Sequence, residues 1–426
     1  MSKFLFTTGA ADGHVNVCTT IVKKLVTNGH EVAWITGRLY KEKVESVGAI
    51  FYPLPKSFDP EDVEIYDYWP ELRKRKGLNQ IKYYLKHVFL DNTQELIETI
   101  NVVLQSFPAD VVVGDTIMYA AYFNSELGGP PSAMISLLPL TLPSKDTAPF
   151  GFGFTPGNSW LARVRNQILN LLFDHIIMRD VNAYMNRIRR NLGLPYSNKT
   201  LFRLIHNLPS MVLQISTPAF EYSRSDLPDN IKFVGPILLD PAQNYIKPSW
   251  WEDLNNRKVV LVNQGTVAKD LKDLIIPSIQ GLKDEDLLVI TVPVVQGELD
   301  SIPLNVRAEK FIPFDQILPN VDIMISNGGY GGTQMALAYG IPLVLAGATD
   351  DKMEVSARVE WAGAGINLRK SRPMPVEIRS AVKTVLSNPQ YKNNAEKIQR
   401  EFQKHDGASE ASELLESLVP KKSNLE

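Results

Sequence analysis

The sequence is poor in the residues that disulfide, metal and nucleic-acid chemistry require. Cys18 is the only cysteine among 426 residues, which excludes an intrachain disulfide and a metal site built from several cysteines. The six histidines show no HExxH spacing, so neither a structural nor a catalytic metal is expected. The formal net charge of −2 gives no electrostatic reason to expect a nucleic-acid partner.

Long apolar runs are also missing, and we expect no stable membrane insertion because no run approaches the length that spans a bilayer. The first residues form a strand pattern at 3–8, and they contain neither the basic segment nor the long apolar core of a signal peptide. We therefore expect a cytoplasmic protein. Separately, we expect a monomer or a weak dimer.

Strand and helix patterns alternate along both halves of the chain. A strand at 4–8, a helix at 15–27 and a strand at 30–36 form a βαβ unit, which predicts parallel α/β packing. The alternation restarts with a strand at 258–263. Because 426 residues exceed the usual size of one core, we predict two doubly wound domains with ligand bound between the carboxyl ends of their strands.

The proline-containing stretch 236–256 is the predicted linker. It separates an N-terminal domain at 1–235 from a C-terminal domain at 257–405, and a final helix and tail follow at 406–426. Within these domains the periodicity predicts long helical regions over 79–104 and 160–191, and a strand near 308–311.

A glycine-rich turn, with Gly328, Gly329, Gly331 and Gly332, joins a predicted strand at 321–325 to a helix predicted at 333–339. Such a turn aims unpaired N–H groups outward at the positive end of the helix dipole, where a phosphate binds well. A glycine-rich turn without a ligand is the plainer interpretation. Four glycines in five residues favour the close approach of a ligand.

His14 follows Gly13 at the predicted first strand-to-helix turn, and Asp115 ends a buried strand at 109–115. A histidine there is suited to act as a general base, and an aspartate bonded to its ring would fix the tautomer and stabilise the imidazolium. Spacing alone favours the plainer interpretation, in which His14 starts a helix and Asp115 caps the next one.

The stretch 130–156 is rich in proline, glycine and large apolar side chains, among them Leu137, Phe150 and Phe152. These side chains are candidates for the wall of an apolar pocket. Packing into a core explains them equally well.

Taken together, the motifs resemble family 1 glycosyltransferases of the GT-B type, in which two Rossmann-like doubly wound parallel-sheet domains face a central cleft. The most similar members are microbial enzymes that glycosylate macrolides, sterols and other natural products from a nucleotide sugar. The resemblance covers nearly the whole chain, and its motifs are specific in their order and spacing: Gly13-His14, 108–115, 233–236, 262–266, 311–314 and 326–333 through 350–352.

The resemblance implies an inverting transfer of a hexose, with glucose expected first, from a UDP-sugar to a hydroxyl of a lipophilic small molecule. His14 would be the base and Asp115 its partner, while Phe311 would stack on the uracil and Ile312 would read the base edge. Asp351 and Lys352 would hold the sugar, no metal or other cofactor would be needed, and the acceptor would contact Leu137, Phe150 and Phe152. The implied donor-binding set is Gly13, Gly265, Thr266, Phe311, Ile312, Asn327, Gly328, Gly329, Gly331, Gly332, Thr333, Asp350, Asp351 and Lys352.

Three positions depart from the family pattern. Asn327 stands where the family has a histidine, Met335 where a glutamate commonly holds the ribose, and Lys352 where a glutamine often accompanies glucose. These departures affect the positions that bear on the identity of the sugar and on the choice between UDP and TDP. Two other functions remain open: a GT-B sugar epimerase and a nucleotide-sugar-binding auxiliary protein without catalysis.

Overall fold

The structure is a computed structural model that describes residues 1–61, 63, 65–157, 159–242, 244–255, 257–265, 270–295, 297–299, 301–348 and 351–420. Two parallel sheets organise these residues. None of the helices in this part of the chain is both long enough and apolar enough to cross a bilayer.

The first sheet has seven strands in the order β3-β2-β1-β4-β5-β6-β7. Its strands are β1 Lys3–Thr7, β2 Glu31–Thr36, β3 Ile50–Pro53, β4 Val111–Asp115, β5 Ser132–Ser136, β6 Met211–Gln214 and β7 Ile231–Phe233. Its helices are α1 Asp12–Thr27, α2 Lys41–Ser46, α3 Ile65–Tyr68, α4 Leu78–Tyr83, α5 Thr93–Ser106, α6 Tyr119–Glu126, α7 Trp160–Leu172, α8 Arg179–Asn191 and α9 Leu201–Asn207.

The second sheet has six strands in the order β10-β9-β8-β11-β12-β13. They are β8 Lys258–Asn263, β9 Leu287–Val292, β10 Val306–Ala308, β11 Ile323–Ser326, β12 Leu343–Leu345 and β13 Gly365–Asn367. The accompanying helices are α10 Ile275–Leu282, α11 Phe314–Ile317, α12 Tyr330–Ala338, α13 Lys352–Trp361, α14 Pro375–Ser387, α15 Pro389–Phe402 and α16 Gly407–Ser417.

The central strands are continuous apolar runs because helices cover both faces of each sheet. β4 and β9 are buried along their whole length. Every strand pairing is parallel, as in β1 with β4 and β8 with β11. The predicted α/β architecture with two doubly wound parallel sheets is confirmed.

Two predicted long helices are each interrupted by a wider π-helical turn, at Tyr84–Leu90 and at Phe173–Ile177. In each turn a backbone carbonyl accepts a side-chain hydrogen bond. Asn92 Nδ2 donates to the Val88 carbonyl at 2.7 Å, and Asn182 Nδ2 donates to the Asp174 carbonyl at 2.8 Å. Such side-chain bonds compete with the regular helical ladder.

Three other predicted boundaries were wrong. The strand placed near 308–311 is β10, which ends at Ala308, so Phe311 lies in the following loop. α1 begins at Asp12 and already includes His14. α12 begins at Tyr330, three residues before the predicted start, because Tyr330 is buried and stacks on Phe220 with ring centroids 6.4 Å apart.

The C-terminal helix α16 packs on α1 of the first half. Glu416 Oε1 lies 3.1 Å from His30 Nε2 and accepts a hydrogen bond from Asn28 Nδ2 at 2.9 Å. The end of the chain that the structure describes therefore packs against a helix of the first sheet.

Candidate active site

In the first sheet, strand order reverses between β1 and β4, so the segments leaving these neighbouring strands diverge to opposite sides. Ligands of doubly wound proteins bind in the crevice that forms at such a point. His14 stands in the first turn of α1, directly after β1, and Asp115 is the last residue of β4. The topology therefore brings together two side chains that are 101 residues apart in sequence.

The two side chains are in direct contact. His14 Nδ1 lies 2.7 Å from Asp115 Oδ2, and the Asp115 side chain is fully buried while 24% of the His14 side chain is exposed. Asp115 Oδ2 also accepts the Gly9 N–H at 2.8 Å, and Oδ1 accepts the Ile117 N–H at 2.9 Å. Because the carboxylate is an acceptor only, His14 donates from Nδ1, which leaves Nε2 as the basic nitrogen.

Charges around the imidazole favour its protonated form. Burial lowers the pKa of His14, but the charge and hydrogen bond of Asp115 raise it, and so does the charge of Asp351, so that the pKa lies above the usual 6.5. Asp351 belongs to the second half of the chain. A charged residue of the second half therefore contributes to the pKa of His14 in the first half.

Gly9 was not singled out from the sequence, although its place directly after β1 is a signal that could have identified it. A Cβ at this position would lie 2.9 Å from the Ile117 side chain and 3.5 Å from His14 Nδ1. An added Cβ would displace the end of the Ile117 side chain, whereas its distance to His14 Nδ1 is an ordinary contact, so the glycine leaves room for Ile117 beside His14.

The second sheet repeats this geometry. Strand order reverses between β8 and β11, and the loops leaving them touch: Asn327 Nδ2 donates to the Gln264 carbonyl, and Asn327 Oδ1 accepts the Gly329 N–H at 3.3 Å. Gly265 has φ +80°, and a Cβ there would lie 3.1 Å from Asn327 Nδ2. Asn327, which stands at the family's histidine position, thus joins the two loops of the predicted phosphate site.

The glycine-rich segment is divided between a short loop and the first turn of α12. Gly328 lies in the loop with φ +83°, whereas Gly331 and Gly332 are helical, which corrects the predicted turn of four glycines. The first N–H groups of a helix have no partner within it and point outward. Thr333 is different, because its N–H donates to the Gly329 carbonyl at 3.0 Å and its side chain is buried.

The predicted base-binding residues lie in the loop after β10. Phe311 has 70% of its surface exposed, so its ring face is accessible to a stacking partner. The side chain of Ile312 is 4% exposed and belongs to the hydrophobic core, which anchors the loop.

The sugar end of the predicted site lies at the start of α13. Asp351 occupies the N-cap position of this helix, and Lys352 is its first residue. Gly13 lies exposed in the first turn of α1, and a Cβ there would meet nothing within 4 Å. Two further predicted donor residues, Thr266 and Asp350, lie outside the described residues.

The three acceptor candidates belong to the segment 137–154, which we call the acceptor wall. Leu137 is only 8% exposed and packs in the hydrophobic core, whereas Phe150 is half-buried and Phe152 is 38% exposed. Phe152 contacts the rings of Phe154 and Phe173, with centroids 5.8 Å and 5.9 Å away. An aromatic surface is therefore present, with Phe152 and not Leu137 on its accessible side.

Helix α7, next to this wall, is oriented with its polar side inward. Asn166 and Asn170 are buried, and Asn170 Nδ2 donates to the carbonyls of Ser144 and Thr147 at 2.8 Å and 2.9 Å. Six large apolar side chains of the helix are exposed: Trp160, Leu161, Val164, Ile168, Leu171 and Leu172.

Residues 278–418 match a family model described as the C-terminal domain of erythromycin biosynthesis protein CIII-like proteins. The chain is 38% identical over 419 residues to 4'-demethylrebeccamycin synthase of Lentzea aerocolonigenes, with 98% of this chain and 100% of that protein covered. It is also 33% identical over 432 residues to UDP-glycosyltransferase 2 of Phaeomoniella chlamydospora, with 96% and 93% covered.

Solved structures show the same fold at lower identity. The calicheamicin glycosyltransferase CalG4 superposes with a TM-score of 0.76 at 18% identity and 99% coverage of both chains. The glycosyltransferase VinC, solved in complex with DTDP, gives a TM-score of 0.67 at 18% identity, with 98% of this chain and 99% of that chain covered.

Proposed function

Because the chain belongs to family 1 of the glycosyltransferases with the GT-B fold, we propose that it moves a hexose, with glucose expected first, from a UDP-sugar to a hydroxyl of a lipophilic small molecule. The observation that carries this proposal is the 2.7 Å contact between His14 Nδ1 and the buried Asp115 carboxylate. That contact directs the second ring nitrogen of a partly exposed histidine away from its partner, ready to accept a proton.

In the proposed step, Nε2 of His14 removes the proton of the acceptor hydroxyl as the oxygen attacks the anomeric carbon. A C–O bond forms to the acceptor while the bond from the anomeric carbon to the phosphate oxygen breaks, and UDP leaves. The Asp115 carboxylate stabilises the imidazolium that results. One displacement without a covalent enzyme intermediate inverts the anomeric configuration.

The leaving diphosphate gains negative charge, which preorganised donors stabilise. The N-terminus of α12, opened by Gly328 and Gly329, supplies N–H groups and the positive end of a helix dipole. With these donors and the histidine base, the proposed step requires no metal or other cofactor.

The nucleotide preference is argued from the relatives and from the ribose-binding position. The Phaeomoniella relative is named a UDP-glycosyltransferase, whereas VinC was solved with DTDP. Met335, at the family's ribose-binding position, is apolar, and the neighbouring Gln334 is buried with its Nε2 donating to the Ile215 carbonyl at 2.8 Å. We propose UDP as the preferred nucleotide, with ribose recognition by other residues.

The exposed aromatic surface at Phe152 and the outward apolar face of α7 support a lipophilic acceptor. An epimerase needs no such surface, and a binding protein without catalysis needs no histidine–aspartate contact. The acceptor surface and the dyad together therefore favour transfer over both alternatives.

The test is turnover with a panel of UDP- and TDP-sugars combined with phenolic, sterol and macrolide acceptors. We expect glycoside formation that is fastest with UDP-glucose, and NMR of the product should show the inverted anomeric configuration. Conversion of the sugar without an acceptor would identify an epimerase instead. Tight UDP-sugar binding without any turnover would identify an auxiliary binding protein.

A further inference from the structure

A buried glutamate of α13 reaches across to the acceptor wall. Glu354 Oε1 accepts the backbone N–H groups of Gly151 and Gly153, each at 2.8 Å, and Glu354 is only 4% exposed. These contacts join residues that are 203 and 201 positions apart in sequence. They are direct bonds between the second half of the chain and the wall of the first half.

The glycines make this double contact possible. Gly151 has φ +96° and Gly153 has φ +60°, so both adopt the left-handed conformation that other residues rarely tolerate. Between them, Phe152 is held by an anchored amide on each side, and its ring is 38% exposed. Glu354 thereby sets the position of the exposed ring of the wall.

The other oxygen of Glu354 belongs to a buried ion network. Arg358, one turn along α13, lies 3.0 Å from Glu354 Oε2 and 3.0 Å from Glu221 Oε2 of the first half. Glu221 Oε1 in turn accepts the Leu140 N–H at 3.1 Å. The acceptor wall is therefore tied to α13 at both of its ends.

Buried ionic groups are costly unless every partner is in place. Arg358 and Glu221 are each 1% exposed, so solvent cannot replace a lost contact. All of these bonds are made only when the acceptor wall and α13 keep one relative position. The sugar end of the predicted donor site is part of the same helix, because α13 begins at Lys352, two residues before Glu354.

We propose that Glu354 is a positioning residue that fixes the acceptor wall, and the ring of Phe152 in particular, relative to the sugar end of the donor site. This inference rests on the proposed function for the identity of the two ligands. Acceptor binding then depends on a residue of the donor half that does not itself contact the acceptor.

The test is Glu354→Gln in the full-length protein. Whichever way the amide is turned, its NH2 group faces either the two glycine N–H groups or Arg358, so donors oppose donors. We expect the acceptor KM to rise roughly 10- to 100-fold, the effect of losing charge-assisted hydrogen bonds. The UDP dissociation constant and the pH dependence of kcat should stay at wild-type values.

Hydrogen–deuterium exchange of the amides at 151 and 153 provides a readout that is independent of catalysis, and these amides should exchange faster in Glu354→Gln. The matched control is Glu360→Gln on the same helix, because Glu360 pairs only with Arg369 at an exposed site among the contacts described. This control should leave the acceptor KM and the exchange rates unchanged.

Phe152→Ala is a second variant that removes an exposed ring and leaves the Glu354 contacts in place. It should raise the acceptor KM while exchange at 151 and 153 stays slow, and it tests the proposal if Glu354→Gln does not fold. A wild-type acceptor KM in either variant, or unchanged exchange in Glu354→Gln, would overturn the proposal. Absence of transfer by the wild-type protein, with faster exchange in Glu354→Gln, would overturn the proposed function and leave the contact established.

Discussion

Asp115→Asn is the substitution for which the structure makes the most detailed prediction. The carboxylate is fully buried and accepts three hydrogen bonds, from the N–H groups of Gly9 and Ile117 and from His14 Nδ1. An asparagine has one oxygen and one NH2 group. In either orientation, its NH2 group therefore faces at least one backbone N–H that the carboxylate satisfied.

The magnitudes follow from this geometry. One buried N–H left without an acceptor costs about 1–3 kcal/mol of stability. Loss of the negative partner also removes the charge that stabilises protonated His14. Since a positioned general base contributes about 10²–10⁴-fold, we expect kcat/KM to fall about 10²–10³-fold, or roughly 3–4 kcal/mol of transition-state stabilisation.

The direction in which the pH dependence of kcat/KM should shift follows from the same contact. Asp115 raises the pKa of His14, so the substitution lowers that pKa, and the unprotonated base persists to lower pH. The acid limb of kcat/KM should therefore move to lower pH while the plateau falls. The assay is glycoside formation from pH 5 to 9, with thermal unfolding measured on the same samples.

Asp110→Asn is the matched control, because Asp110 directly precedes β4, at the end away from Asp115, and its Oδ2 accepts the Lys3 N–H at 2.7 Å. It should lower stability without changing the pH profile. A wild-type plateau and an unshifted acid limb in Asp115→Asn would refute the assigned role of Asp115.

Three further predictions concern the donor side. Asp351→Asn should lower the pKa of His14 less than Asp115→Asn does, because the charge of Asp351 makes the smallest contribution to raising that pKa. NMR titration of the imidazole would detect the shift. Gly328→Ala, at φ +83°, should lower the unfolding free energy by about 1–2 kcal/mol in thermal melts and weaken UDP binding. The control Gly331→Ala, within the helix, should not destabilise the fold. Phe311→Ala should weaken UDP binding by about 1–3 kcal/mol in calorimetry, the usual value of one base–aromatic stack, whereas Phe311→Trp should preserve it.

Local patterns were sufficient to predict the sheets and the approximate positions of His14 and Asp115. An apolar run followed by a glycine turn and a helical pattern indicates the carboxyl end of a parallel strand, where site residues gather. Other tertiary contacts were not predictable in this way. The bond from Asn327 to the Gln264 carbonyl and the bonds from Glu354 to the acceptor wall join residues far apart in sequence.

Periodicity also identifies the two faces of a helix without showing which face lies inward. Segment 160–172 was correctly predicted as helical, but Asn166 and Asn170 are the buried residues because backbone carbonyls of residues 144–147 satisfy their amides. The start of α12 was misplaced for a similar reason. Glycine has low helix propensity, but the buried ring of Tyr330 and its contact with Gln214 hold the first turn in place.

The measurement that tests the central claim most directly compares His14→Ala with the wild-type protein in both transfer and UDP binding. The side chain of His14 is partly exposed and lies in the first turn of a helix, where alanine is well tolerated, so the variant should fold. We predict that glycosyl transfer falls at least about 10³-fold, more than in Asp115→Asn, while the dissociation constant of UDP measured by calorimetry stays unchanged. Transfer at the wild-type rate would contradict the assignment of His14 as the base.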